Sequence, residues 1–478
     1  MLDRKAFLRR SGLAALGATG VYSLVDAVAP VRAAIAAAAL PPEQHLMQGL
    51  RVITDEGIRV NVPPLYHQVV TARLDMGKSP RALAEARHTL EQALHAIERR
   101  HAPTPSGLAV IVAWGTSYFR EYVPKVGGHH YPEYLPVDRQ ASTTAGSTVP
   151  AFFDTDRFPS DPSGLHLEGN DVVFVFQSDS LERIALESKT LFASVAGSLS
   201  LTSIRKGFVG GGFDGKRSVP KEMAMKAKLG GAQLIPERAE LFLGFTSTQR
   251  ASLGPDRIAN FETLPGFTDQ WPNGYFRNGT TMHLSHLYED INVWYGTNFA
   301  DRIWLATDLS RSANTIDESV MTLPEGPGDV QTEQLVAQFA TDPENGLVGH
   351  SASMQPVNRL QTTVRDNYGI RRPKGTAVLQ RVDFNSLDNP FFWTAHPSVD
   401  RHSAQPAAGM HFLAFSPTSD FFRRMRLAMD GRYADGVKLP LNPRSLQLGL
   451  NGVMHPTHRQ NFIVPPRRHR AFPLTELL

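Results

Sequence analysis

The chain contains no cysteine. That absence excludes disulfides, thiolate ligation of a metal and a cysteine nucleophile in one step. It leaves the compartment open, because a protein that folds in the reducing cytoplasm and is exported afterwards has no use for disulfides. A charge excess of one sign is also missing from most of the chain. The formal charge is +3, from 49 basic and 46 acidic residues, and the surplus sits in residues 1–39. There Arg4, Lys5, Arg9, Arg10 and Arg32 face only Asp3 and Asp26, so the rest of the chain holds 44 of each kind. A balanced mature chain gives no reason to expect nucleic acid or a membrane surface as partner. No phosphate-cradling glycine loop with a Lys-Ser/Thr ending, no Gly-x-Ser-x-Gly elbow and no basic-aromatic interleaving is present, which removes the common signals for nucleotide, acyl-transfer and nucleic-acid chemistry.

The 478 residues, 41% hydrophobic and 20% charged, are those of an ordinary globular protein with a substantial core, in two to four units or one large double domain. The first 39 residues differ from the rest. A basic start leads into a mildly apolar Gly/Ala-rich stretch, interrupted by Gly12, Gly17, Gly20 and Asp26, and ends in a small-residue run from Ala33 to Ala39. This is signal-peptide architecture, too weakly apolar for a stable membrane anchor. Asp3 to Arg9 resembles a twin-arginine signal with Lys5 in place of the second arginine, which implies recognition by the twin-arginine export machinery and a periplasmic or extracellular mature protein with no membrane span.

Further along, Ser79-Pro80 reads as an N-cap and first helical position, and Leu83, Leu90, Leu94 and Ile97 recur at helical spacing up to Arg99-Arg100. Gly107 to Gly115 is an apolar run of strand length, and Asp171 to Phe176 is another, followed by a helical pattern over 181–195. Residues 125–168, rich in Gly, Pro, Asp, Ser and Thr, read as a long surface excursion. A second unit starts near Gly279, with a strand over 280–287, a helix beginning after Tyr288, a strand over 410–415 and a helix over 419–429. The order of elements predicts an α+β class with helices on one face of each sheet. Residues 305–345 read as acidic and irregular, and the Pro- and Arg-rich stretch 440–478 as a tail wrapping the outside.

Four stretches in sequence order resemble the dye-decolourising peroxidases, a family of haem enzymes. They are Gly107–Phe119, Gly169–Leu191, the GxxDG signature of Gly211-Gly212-Phe213-Asp214-Gly215 with Glu240–Phe245 after it, and Gly409–Met425. The resemblance covers residues 107 to about 430. It implies two antiparallel ferredoxin-like domains of the dimeric α/β-barrel type, over 40–275 and 276–439. Haem b (iron protoporphyrin IX) would lie in the second domain, with the GxxDG loop reaching over it and Gly211, Phe213 and Gly215 shaping that loop.

The activity implied is reduction of hydrogen peroxide at the expense of an organic reductant, and nothing in the reading forbids an oligomer. Asp214 is the expected proton carrier, although Asp214-Gly215 is equally a common turn dipeptide. His350, followed by Pro356, Asn358 and Arg359, is the expected iron ligand. Arg381 is the expected distal cation; read without a one-residue insertion, Gln380 takes its place. Asp383 is a further polar group for the distal side and His286 a pocket residue.

Two other readings stay open. His283 and His286, with Glu289 and Asp290 behind them, have the residue types of a zinc or non-haem iron site. On a strand, however, alternation sends the two histidines to opposite faces. A haem carrier or iron-releasing protein would keep the fold and His350 while needing neither Asp214 nor Arg381.

Overall fold

In a computed structural model of the chain, the described residues are 40–55, 58–128, 133–210, 217–244, 264–298, 302, 360, 362–372, 378–388, 405–430, 432 and 449–478. An antiparallel hairpin of β1 (Arg51–Asp55) and β2 (Ile58–Val62) leads into the first unit. That unit runs β3 (Tyr66–Leu74), α1 (Pro80–Arg100), β4 (Ala109–Trp114), α2 (Thr116–Glu121), α3 (Arg139–Ala145), β5 (His166–Leu167), β6 (Val172–Ser178), α4 (Leu181–Ser194), β7 (Leu199–Phe208) and α5 (Val219–Lys226). Its sheet has the order β4-β6-β3-β7 with every neighbour antiparallel. Two strand–helix–strand units interleaved in this way make a ferredoxin-like fold.

The second unit repeats the plan. β8 (Thr280–Glu289) and α6 (Ile291–Gly296) come first, then a small ladder of β9 (Val364–Arg365) with β10 (Arg371–Arg372). β11 (Gln380–Ser386), β12 (Gly409–Ser416), α7 (Asp420–Met429) and β13 (Met454–Val464) complete it, in the sheet order β11-β12-β8-β13. The two sheets join edge to edge: Asn385 on β11 pairs with Phe208 on β7, and Ile463 on β13 pairs with Trp114 on β4. The result is a closed eight-stranded barrel, with β5 laid parallel along β13 at its other end.

Alternation within the strands gives the barrel two surfaces. Val69, Ile111, Val175, Met282, Leu284, Phe384, Leu413 and Phe462 belong to one buried cluster that draws on strands of both sheets and contains no helix residue, so it is the barrel interior. The other strand faces carry the helices: Leu83, Leu90, Leu94, Ile97, Ile184 and Leu191 pack onto the first sheet with Phe174 and Phe176. Phe421, Phe422 and Met425 of α7 pack on the second. Helix α1 starts where the sequence predicts, with the Ser79 hydroxyl accepting from the Ala82 amide at 3.2 Å and proline in its first turn.

Two expectations change. Of the stretch 440–478, the described part 449–478 is no surface tail, because β13 lies between β8 and β4 with Phe462 and Val464 fully buried. The arginines that gave it a surface look are neutralised in place: Arg470, itself buried, donates to Glu91 at 2.9 Å and to Glu98, and Arg467 also pairs with Glu98. The excursion 125–168 is also partly interior, since Leu135, Val137, Phe152, Phe158 and Leu165 are buried and Phe158 packs edge-on against Phe422.

Candidate functional site

On β11, Val382 and Phe384 point into the barrel, so Arg381, Asp383 and Asn385 face outward, toward the helix layer of the second unit. The register continues that face: Arg381 lies opposite Ala414 and then His283, and Asp383 opposite Phe412 and then Ser285. Arg381 Nε stands 3.6 Å from Asp383 Oδ2, close enough for charge attraction but too long for a hydrogen bond. Both side chains are largely withdrawn from solvent.

Burial dominates the electrostatics. Loss of hydration pushes the Asp383 carboxyl up to about 6, against the pull of the Arg381 guanidinium. Glu289, at the end of β8, is pushed up to about 8, first by burial and then by the charge of Asp383. Neither Glu289 carboxyl oxygen has a hydrogen-bond partner among the described residues, which is why the neutral acid is the favoured form. The face therefore carries a permanent cation and two carboxyls that exchange protons in the neutral range.

Asn385 ties this face to the region before and after the GxxDG loop. Its side chain donates to the carbonyls of Phe208 (3.2 Å) and Glu240 (2.8 Å) and accepts from the Phe242 amide (2.9 Å). Phe208 ends β7, two residues before Gly210, whose φ of +119° suits glycine. The Val219 amide donates back to the Gly210 carbonyl at 3.3 Å, and Ser218 caps α5. The loop is thus rooted beside the strand that carries Arg381 and Asp383. Asp214, with Gly211, Phe213 and Gly215, lies outside the described residues, as do His350 and the signal-like segment 1–39.

His286 falls elsewhere. It is fully buried on the opposite face of the sheet from Arg381 and Asp383, inside the barrel, 4.6 Å between ring centres from His411. His283 is on the outer face, stacked on Phe422 with ring centres 3.3 Å apart, and both its nitrogens are used, by Asn461 Oδ1 and Ser285 Oγ at 2.7 Å each. The His-x-x-His pair is therefore split by strand alternation and does not make a joint metal site. Among the described residues no group of three His, Cys, Asp or Glu side chains is arranged to hold an ion.

The described face offers a cation and acids that lean toward neutrality. Those groups are of the types that the peroxide side of a haem pocket would need: a fixed positive charge and carboxyls able to hold a proton. The residue types named by the sequence for that side, Arg381 and Asp383, do stand together. Glu289 is legible in the sequence only as a carboxylate behind a histidine pair; its burial on the same face comes from the pairing of β8 with β12.

A family model, described as a family of unknown function (DUF7405), matches residues 64–466. The chain belongs to that family. The match spans both units of the DUF7405 chain, from the start of β3 to just past β13. None of the curated proteins matches. Solved structures similar to the DUF7405 chain include DyPB from Rhodococcus jostii RHA1, at 12% identity and a TM-score of 0.46, over 86% of this chain and 96% of that one. The encapsulated DyP-type peroxidase from Mycobacterium smegmatis is similar at 14% identity and 0.46, over 86% and 95%. A dye-decolorizing protein from V. cholerae is similar at 11% identity and 0.46, over 86% and 97%. Among the described residues no helix is long and apolar enough to cross a membrane.

Proposed function

We propose that the protein is a haem-dependent, peroxidase-like oxidoreductase that reduces hydrogen peroxide and oxidises an organic donor, working in the periplasm or outside the cell after twin-arginine export. The observation that carries this reading is the outer face of β11: a half-buried arginine 3.6 Å from a carboxyl poised at about 6, on the strand beside which the GxxDG loop is rooted. The sequence resemblance to dye-decolourising peroxidases supplies the cofactor.

Bound haem b would supply the redox-active iron. His350 would hold that iron through one imidazole nitrogen, the other being free to take a hydrogen bond that sets its basicity. Asp214 would take the proton from one peroxide oxygen and return it to the other, so that water leaves instead of hydroxide. Arg381 would stabilise the negative charge that grows on the departing oxygen, a role suited to a side chain that keeps its charge at any working pH. Asp383 tempers Arg381: ionised, it shares the guanidinium's charge, and neutral, it releases it.

That last contact also favours a second reading. An arginine held by a carboxylate is a weaker electrostatic catalyst, which suits a haem carrier better than an enzyme. One experiment separates them. The purified protein should show a Soret band that shifts on addition of peroxide, and Asp214→Asn should keep the band while losing peroxide-dependent oxidation of a dye. A wild type with haem but no turnover identifies a carrier, and a wild type that takes up no haem ends both readings.

A further inference from the structure

The barrel interior contains a second polar cluster that the outer face does not use. His67 on β3 and His411 on β12 approach from opposite sheets, with ring centres 5.2 Å apart and planes inclined at 54°. His286 on β8 stands 4.6 Å from His411 in an edge-to-face arrangement. His67 is 1% exposed, and His411 and His286 are fully buried. Behind His67, Phe384 stacks at 4.3 Å and holds the ring in place.

Neither ring nitrogen of His67 or of His411 has a hydrogen-bond partner among the described residues. Each imidazole left so in the interior carries a desolvation penalty that valine or leucine at these positions would not incur. The surrounding wall holds Val69, Val209, Phe384 and Leu413, and Gln177 and Arg205 share its inward face without hydrogen-bonding either ring. The nearest charged pair is Arg205 with Glu168, which is neutral as a whole. Burial keeps His67 unprotonated down to about 3 and lowers His411 as well, so both present lone pairs at any working pH.

We infer that His67 and His411 form a binding site for a late first-row transition-metal ion inside the barrel, completed by His286. Two imidazoles on one tetrahedral ion, at metal–nitrogen distances of about 2.0–2.1 Å, place their ring centres about 5 Å apart. The His67–His411 spacing of 5.2 Å meets that requirement across the gap between the two sheets. Three such side chains do not yet converge on one point, so His286 is the ring that turns in on binding. Neutral imidazoles select for zinc, copper, nickel or cobalt over magnesium or calcium, which want oxygen ligands. An ion there would bridge the two ferredoxin-like units from within, separately from any haem on the outer face.

The test uses the full chain as purified, with its iron and haem counted separately. After dialysis against a chelator and then zinc, elemental analysis should find one retained zinc per chain. X-ray absorption at the zinc edge should show imidazole scattering, and the melting temperature should rise with zinc concentration. His67→Gln and His411→Gln should each weaken retention by more than the roughly 10–100-fold that loss of a metal's outer-shell partner causes. A His88→Gln, His95→Gln control on exposed α1 should retain the ion. If ordered water is the true occupant, the wild type retains no zinc and shows no shift in melting temperature. That result overturns the site even if the glutamine variants fail to fold, as does zinc that stays with both variants. Peroxide turnover is not read in this experiment and haem is counted apart from zinc, so the outcome stands apart from the function proposed for the outer face.

Discussion

The two ferredoxin-like units share one topology and differ in what their sheets bury. In the first, β6 reads Val-Val-Phe-Val-Phe-Gln-Ser: Phe174 and Phe176 meet the helices, and Val173 and Val175 meet the barrel. In the second, the central strand β8, the counterpart of β3, reads Thr-Thr-Met-His-Leu-Ser-His-Leu-Tyr-Glu and buries His283, His286 and Glu289 along with Met282 and Leu284. The other strands of its sheet add Asp383, His411, His458 and Arg459. A strand that is apolar on both faces stabilises a fold by burial alone. A strand with buried titratable groups forgoes part of that stabilisation, and keeps instead groups whose charge responds to a ligand or to pH. The outer face of the second unit holds the groups proposed for the chemistry, and the first unit is its scaffold apart from His67 on β3, which faces His411 across the barrel.

The comparison breaks most visibly if a core position in the scaffold is emptied. Phe174→Ala should cost about 3–5 kcal/mol in denaturant unfolding, because a fully buried ring leaves a cavity between α4 and the sheet. A much smaller loss would mean that the first unit is not the more tightly packed. In the second unit the largest effect should be on activity. Arg381→Leu is expected to lower peroxide turnover by about 10²–10³-fold, the range for removing one charge-stabilising donor, with little change in unfolding midpoint.

Glu289→Gln sharpens the contrast through pH. The folded protein keeps the Glu289 proton up to about 8, whereas an unfolded chain releases it near 4.5. Wild-type stability from this group is therefore full below about 4.5 and falls as pH rises toward 8. The glutamine variant should lose that slope and be the more stable protein at pH 8, by on the order of 4 kcal/mol, as read from urea unfolding at several pH values. Equal slopes in the two proteins would show that Glu289 is solvated. Asp383 gives a smaller effect of the same sign on Arg381: turnover should rise as pH falls through about 6 and the carboxylate that shares the guanidinium's charge is neutralised. In Asp383→Asn the rise should be absent. The smallest change belongs to the scaffold again, where Ser79→Ala should cost about 1 kcal/mol by removing the cap of α1.

Elements with clean periodicity are legible in the amino-acid sequence alone. Helix α1 shows its cap and its stripe of Leu83, Leu90, Leu94 and Ile97, and β4, β6, β8, β12 and α7 fall where runs of apolar residues place them. Strands β3 and β13 are not legible in this way, for one reason. His67, Gln68 and Thr71 in β3, and His458 to Asn461 in β13, are polar yet buried, so no alternation between water and core is written in them. Of the outer face, Arg381 and Asp383 can be named from a family pattern, but their partnership with Glu289 depends on strands from distant parts of the chain sharing one sheet.

By itself the sequence determined the classes of chemistry that are closed to this protein, the α+β character and the individual helices and strands with regular patterns, since these follow from residue types and local spacing. Only the tertiary structure decided that β13 closes a barrel and that His283 and His286 part company across a sheet. It alone brought His67 to His411, and it set two carboxyls near neutrality by burying them. Strand register and loss of hydration are properties of residues brought together from distant parts of the chain, and no local pattern encodes them.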